Sequence, residues 1–247
     1  MNKEKSTVLR LYQMNTKHAD FSFEESLKYL DELVAQLKDE SPLPVCDSLS
    51  KDDLLSKTVA QAHATVMVVR LVADADAEEG KLRQYVYHAT VNLMMAIMRG
   101  IKTLRHLDVQ ADGSIMAMFD TPMKKDVVDI INLSAQVRSI SDVVLKKFRQ
   151  DSLSQTVAIG VDYGPVICYH GDDDIADLFI AGKGLETAKM LSEIREDGVA
   201  ISDDIYINLT EDMQKNLFAV EDEHEGMKYR FAPLINIRMR RWVSEGK

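Results

Sequence analysis

Leu107-Asp108-Val109-Gln110-Ala111-Asp112-Gly113-Ser114-Ile115-Met116-Ala117-Met118-Phe119 reads as two short strands joined by an Asp-Gly turn. Asp-Gly suits the positive backbone angles of a tight hairpin, and apolar residues flank it on both sides. This hairpin decides the fold because a helical pattern stands on either side of it. Upstream, Leu82, Val86, Ala89, Leu93, Ile97, Ile101 and Leu104 recur at helical spacing between Ala77 and Leu104. Downstream, Thr121-Pro122 is expected to open a helix, with Thr as cap and Pro in first position. That helix carries Val127, Ile130, Val137, Val144 and Phe148. Before the first helix, residues 65–72 form an apolar, β-branched run with Arg70 as its only charge, the pattern of a buried strand. After the second, residues 156–161 lead through Asp162-Tyr163-Gly164 into residues 165–169, read as a second strand pair. The order predicts an α+β domain: a ferredoxin-like βαββαβ core, a mostly antiparallel sheet, and both long helices on one face.

The flanks add less. Residues 1–60 are read as an N-terminal helical extension, and residues 61–247 as the main domain. Residues 1–20 are polar and mixed, an arm in character. Ser22 and Glu25 have the spacing of a capping box, and Leu27, Leu30, Val34 and Leu37 follow at helical spacing. Pro42 and Pro44 end that helix, and Ser50 is a cap for a short one through Leu55. The extension is read as a dimerisation helix, a partner-docking element or a lid on the main core. Beyond the strand pair come a turn at Gly171-Asp172-Asp173-Asp174, a run at Leu178-Phe179-Ile180 and a helix from near Lys183. Residues 199–201 form a short strand, Ser202 caps a short helix, and Met227–Met239 alternates as a last hairpin would.

The chain has 247 residues, 46% hydrophobic and 28% charged, enough for a sizeable core. No apolar run is long enough for a membrane helix, and the first residues lack the apolar stretch of a signal peptide, so a cytoplasmic protein away from membranes is expected. The formal net charge is −10, from 40 acidic and 30 basic residues. That balance argues against duplex nucleic acid as a partner, since its affinity rests on clustered Lys and Arg. A mononucleotide needs only a few local charges. Cys46 and Cys168 stand apart and without CxxC partners, so they read as reduced thiols.

Three stretches resemble the catalytic domain of class III nucleotidyl cyclases, the adenylyl and guanylyl cyclase family. Ala111 to Pro122 is similar to the family's Gly-Asp-Gly-x-x-Met-Ala-x-Phe hairpin. Ala158-Ile159-Gly160-Val161-Asp162-Tyr163-Gly164 is similar to its Ile-Gly-x-x-x-Gly strand pair. Ala181-Gly182-Lys183-Gly184-Leu185-Glu186-Thr187-Ala188-Lys189-Met190-Leu191 resembles its Gly-x-x-Val-Asn-x-Ala-x-Arg-Leu segment. The resemblance spans roughly residues 63–220, in the right order. Bacterial members that cyclise pyrimidine triphosphates in phage defence also resemble this chain in being diverged and stand-alone.

The resemblance implies attack of a ribose 3′-hydroxyl on the α-phosphorus, with pyrophosphate leaving and two magnesium or manganese ions held by two aspartates. It also implies a head-to-tail homodimer. Asp112 matches the second metal aspartate. The first falls where this chain has Arg70, whose charge would repel a cation at about 4 Å by a few kcal/mol. Asp74 and Asp76 follow closely, and Asp74 is the alternative metal ligand. The base-reading lysine corresponds to Asp108, the ribose-orienting asparagine to Glu186, and the charge-offsetting arginine to Met190. Asp177 and Lys183 complete the nucleotide-contact set, while Lys189 is expected to point off the other side of its helix.

Each feature also has a plain structural reading. Asp112 is a metal ligand or simply the residue a tight turn wants. Arg70 is a basic stand-in for a metal, paired with Asp112, or a strand-end arginine reaching solvent. Gly171 to Asp174 reads as a solvated hairpin tip, and His170 as a lone histidine. Gly182-Lys183-Gly184 lacks the spacing of a phosphate-cradling loop. Arg238, Arg240 and Arg241 read as the solvent face of a last strand. Two functions remain open. One is a degenerate cyclase-like domain acting as a binding or regulatory module, with no metal. The other is an active divergent cyclase using Mg or Mn. Both imply a homodimer and a nucleoside triphosphate ligand.

Overall fold

β1 (Val59–Ala73) lies in the middle of the sheet and is buried on both faces along much of its length, which is why its sequence is apolar without alternation. The computed structural model describes residues 59–73, 80–148, 155–169 and 179–245, together with Leu27, Lys28, Leu30, Asp31, Val34, Ala35, Val45, Cys46 and Leu49. The chain divides into two compact units, Met1–Pro44 and Val45–Lys247. In the first, the described residues are helical, and Leu27, Leu30 and Val34 are exposed. The expected Ser22–Glu25 cap and the helix after Ser50 lie outside the described residues.

In the second unit β1 is followed by α1 (Gly80–Arg99), β2 (Leu104–Val109), β3 (Ile115–Phe119), α2 (Lys124–Phe148) and β4 (Gln155–Tyr169). Then come β5 (Phe179–Ala181), α3 (Lys183–Ile194), β6 (Gly198–Ser202), α4 (Asp203–Tyr206) and α5 (Glu211–Asn216). The hairpin β7 (Glu221–His224) and β8 (Met227–Ala232) precedes α6 (Ile237–Glu245). The strand order is β2-β3-β1-β4-β6-β8-β7, with β5 on β4. Every pairing is antiparallel except β4 with β6. Its β2-β3-β1-β4 part is the expected ferredoxin-like βαββαβ arrangement.

Alternation along the strands sorts two cores. Met67, Val69, Ala117, Ile159 and Val161 face α1 and α2, whose Met94, Met98, Ile130 and Val137 are fully buried there. Val66, Val68, Met116, Met118 and Val166 face the other way, toward Ala188 of α3, Cys46 and Leu49. So the two long helices share one face, as their stripes require, and α3 covers part of the other.

Four local readings are corrected. Residues 155–169 are not a strand pair but one strand, in register with β1 over its whole length. The ladder to β1 outweighs the turn propensity of Asp162-Tyr163-Gly164. Pro165 is tolerated because β4 there lies between its β6 pairing (Ala158–Val161) and its β5 pairing (Ile167–Tyr169), with one strand neighbour only. Thr121 does not cap α2: its hydroxyl lies 2.6 Å from that of Thr65, and the Asp126 carboxylate accepts from the Met123 N–H instead. Met227 pairs backward to β7 through Glu225-Gly226, both at positive φ, rather than forward to residue 239. Arg238, Arg240 and Arg241 therefore sit on a helix, whose start is set by the Asn236 side chain accepting from the Met239 N–H.

Candidate functional site

The β2–β3 turn places Asp112 at the end of the sheet. Gly113 takes φ 82°, and the turn closes with Gly113 N–H donating to Gln110 O and Gln110 N–H to Ser114 O. Asp112 Oδ1 accepts from both the N–H and the hydroxyl of Ser114, at 3.0 and 2.6 Å. Its Oδ2 meets Lys189 Nζ of α3 at 3.3 Å. The Ser114 hydrogen bonds first, and then Lys189, hold the Asp112 carboxyl down at about 2, so it is ionised at neutral pH. Tyr87 of α1 steadies the turn by donating to Gly113 O at 3.2 Å.

Arg70 lies three residues before the end of β1, next to Val69, which is paired with Ile115 of β3. Its Nη1 donates to the Ser192 carbonyl of α3 at 3.4 Å. A cation at the carbonyl end of a helix is favourably placed. The cation that meets Asp112 is thus Lys189, not Arg70. Lys189 does not point away, as the helical periodicity of α3 had suggested. α3 buries Thr187, Ala188, Leu191 and Ser192 against the sheet, and Lys189 at the rim reaches back to the hairpin. Its side chain is about half exposed, so this ion pair is worth about 0–1 kcal/mol.

Among the described residues, the remaining sequence-derived positions do not meet Asp112 through any hydrogen bond or ion pair. Asp108 is exposed and spends its oxygens inside the hairpin, on the Val109 N–H and the Gln110 amide. Lys183 and Glu186 are exposed on the first turn of α3. Gly182 precedes that helix at φ 110°, and Gly184 packs backbone to backbone on Gly164, where a Cβ would meet Gly164 atoms at 3.3 Å. Asp74, Asp76, His170, Asp172, Asp173, Asp174 and Asp177 lie outside the described residues.

Among the described residues these donors do not make a site for a pair of divalent ions. Asp112 is occupied by Lys189 and Ser114, and Arg70 is engaged on the Ser192 carbonyl. Among the described residues no group of three Asp, Glu, His or Cys side chains converges as a metal site.

Sequence reasoning missed two features. Asp162 is 4% exposed on the α3 face of β4, and burial pushes its carboxyl upward despite a hydrogen bond from Ser202. With Lys183, Thr187, Ser202 and Asp204 it lines a cleft of about 380 Å³. Its reading as a turn residue concealed it. Arg138 of α2 forks onto Asp197 at 2.9 and 2.5 Å and onto Leu234 O at 2.7 Å, tying α2 to the turn before β6. No motif marks that pair.

Comparison with known proteins supports the fold. No protein-family model matches the chain. It is 23% identical over 215 residues to a uridylate cyclase of Gulbenkiania mobilis, covering 79% of this chain and 82% of that one. Among solved structures, the adenylyl cyclase CyaB of P. aeruginosa superposes with TM-score 0.56 at 16% identity, over 70% of this chain and 95% of that one. A class III adenylyl cyclase-like ATP-binding protein of Pseudomonas aeruginosa gives 0.57 at 15% identity, over 85% and 48%. The guanylyl cyclase Cya2 gives 0.54 at 13%, over 72% and 94%. No helix among the described residues is long and apolar enough to cross a membrane. The sheet order, the helix placement and these superpositions together show that the chain has the class III nucleotidyl cyclase fold.

Proposed function

We propose that this cyclase-like domain is a binding or regulatory module of nucleotide signalling that does not carry out two-metal cyclisation. The observation that supports this best is the occupation of Asp112 by a lysine of its own chain. Asp112 is ion-paired with Lys189, and Arg70, at the position the resemblance gives to the first metal aspartate, is bonded to α3. The module works as a cytoplasmic homodimer, with Asp108, Asp177 and Lys183 as nucleotide contacts and no metal. Purified protein incubated with ATP, GTP, CTP and UTP in magnesium or manganese is expected to yield no cyclic nucleotide by mass spectrometry. Steady product formation that Asp112→Ala abolishes would overturn the reading. Sedimentation at micromolar concentration tests the dimer, and a single monomeric species would refute it.

A second reading has its own support in the uridylate cyclase similarity over most of both chains. In it the chain is an active pyrimidine cyclase of phage defence. Asp112 and Asp74 hold magnesium or manganese, and Glu186 stands at the ribose-orienting position. Cyclic UMP formation in the same assay, lost in Asp74→Ala, would establish it.

A further inference from the structure

We infer that the groove between α2 and the start of α6 binds the C-terminal end of an extended partner peptide. Its free carboxylate lies on Arg238, and a basic side chain about four residues upstream lies on Asp129. The groove measures about 800 Å³, and Asp112 does not line it. This goes beyond the proposed function and does not depend on the chemistry at Asp112.

α2 supplies the long wall, with Asp129, Asn132, Leu133 and Gln136 on one stripe of the helix. Leu133 is buried beneath, and half-buried Ile101 of the α1–β2 loop adds apolar surface. Backbone contacts fix the two ends. Thr103 O of that loop accepts from the Asp120 N–H, just before α2, whereas the Asn236 N–H donates to the Ser139 hydroxyl at 2.8 Å and puts Arg238 at the far end. Between Asp129 and Ser139 the helix advances roughly 15 Å. Opposite charges thus stand apart. Among the described residues neither the Asp129 carboxylate nor the Arg238 guanidinium has a hydrogen bond or ion pair. Lys102 and Asp126 also line the groove, and with Asp129 they leave the near end net negative.

The amides between these charges select an extended occupant. Asn132 and Gln136 are separated by roughly 6 Å along the helix axis. Two residues of a strand advance roughly 6.6 Å. Each amide carries donors and an acceptor, and neither has a partner among the described residues, so the pair meets peptide groups two residues apart. A bound helix would keep those groups inside its own hydrogen bonds; a strand leaves them open. Four strand steps cover roughly 13 Å, and a lysine side chain reaches the remainder. A free carboxylate accepts the fork of Arg238 in two places, which a side-chain amide or a backbone carbonyl does not.

The test titrates the full chain into fluorescein-Gly-Gly-Lys-Ser-Leu-Ser-Leu with a free carboxylate and reads fluorescence anisotropy. Alternation puts the peptide's Lys and both Leu on the groove side. Saturable binding is expected, weakened at least about tenfold by amidating the peptide C-terminus, by Arg238→Ala or by Asp129→Lys. Asn132→Ala and Gln136→Ala should each weaken it about three- to tenfold. A peptide with Glu in place of Lys should fail on the wild type and bind Asp129→Lys, a recovery that a misfolded variant cannot give. Asp129, Asn132 and Arg238 are exposed, so these variants fold, and equal melting temperatures verify it. No saturation by about 1 mM, equal binding of the amidated peptide, or no recovery in the charge swap would overturn the inference.

Discussion

Gly160 in the middle of β4 sets how closely α3 lies on the sheet, and with it where Lys189 and Ser192 stand. It pairs with Val68 of β1 on one side and Ala200 of β6 on the other, so the strand has no freedom to move away. A Cβ at Gly160 would lie 1.9 Å from Ala188 O, 2.5 Å from Ser192 N and 2.9 Å from Leu191 Cβ. Restoring ordinary contact at about 3.5 Å requires α3 to retreat by roughly 1.5 Å. That retreat loosens the packing of Ala188 and Leu191, and overpacking of this kind costs about 2–3 kcal/mol. For a chain of this size that corresponds to a fall in melting temperature of roughly 5–10 °C. Gly160→Ala should therefore melt lower by that amount in thermal unfolding. A variant melting within a degree of wild type would refute the close-approach argument.

Three further outcomes follow from other contacts. Arg138→Lys should cost about 1–3 kcal/mol in urea unfolding, because Lys cannot reproduce the forked bonds to Asp197 while reaching Leu234 O; an unchanged midpoint would contradict the fork. Asp162→Asn should stabilise the protein at pH 7, and the gain should vanish as pH falls. Burial raises the folded carboxyl above its unfolded value, so folding takes up a proton between the two, and wild-type stability drops as pH rises through that window; a gain that grows toward low pH would reverse the sign. Gly198→Ala should destabilise by about 1–3 kcal/mol through its φ of 128°, with only partial rescue by Phe231→Leu, whose native ring stands 2.4 Å from the added Cβ; full rescue would show that ring contact, not backbone strain, sets the cost.

By itself the sequence determined the elements whose signals are local. Asp112-Gly113 made the hairpin visible, since only a few adjacent residues decide a tight turn, and the helical stripes around it settled the βαββαβ order and the shared face of α1 and α2. The motif order likewise sufficed to place the chain near the class III cyclases, and it set the expectation that Arg70, Asp108, Glu186 and Met190 stand at the family's working positions. Tertiary structure decided what depends on residues distant in the chain. Asp162-Tyr163-Gly164 has the composition of a turn, yet β1 offers a partner for every residue of β4, and the ladder holds the segment straight. Thr121 has the look of a helix cap, yet a buried hydroxyl partner on β1 claims its side chain. Lys189 became the partner of Asp112 only because Gly160 lets α3 settle against the sheet at a height where a long side chain spans to the hairpin. Local propensity is set by neighbours along the chain, whereas the charge partner of a site is set by which elements the packing brings together.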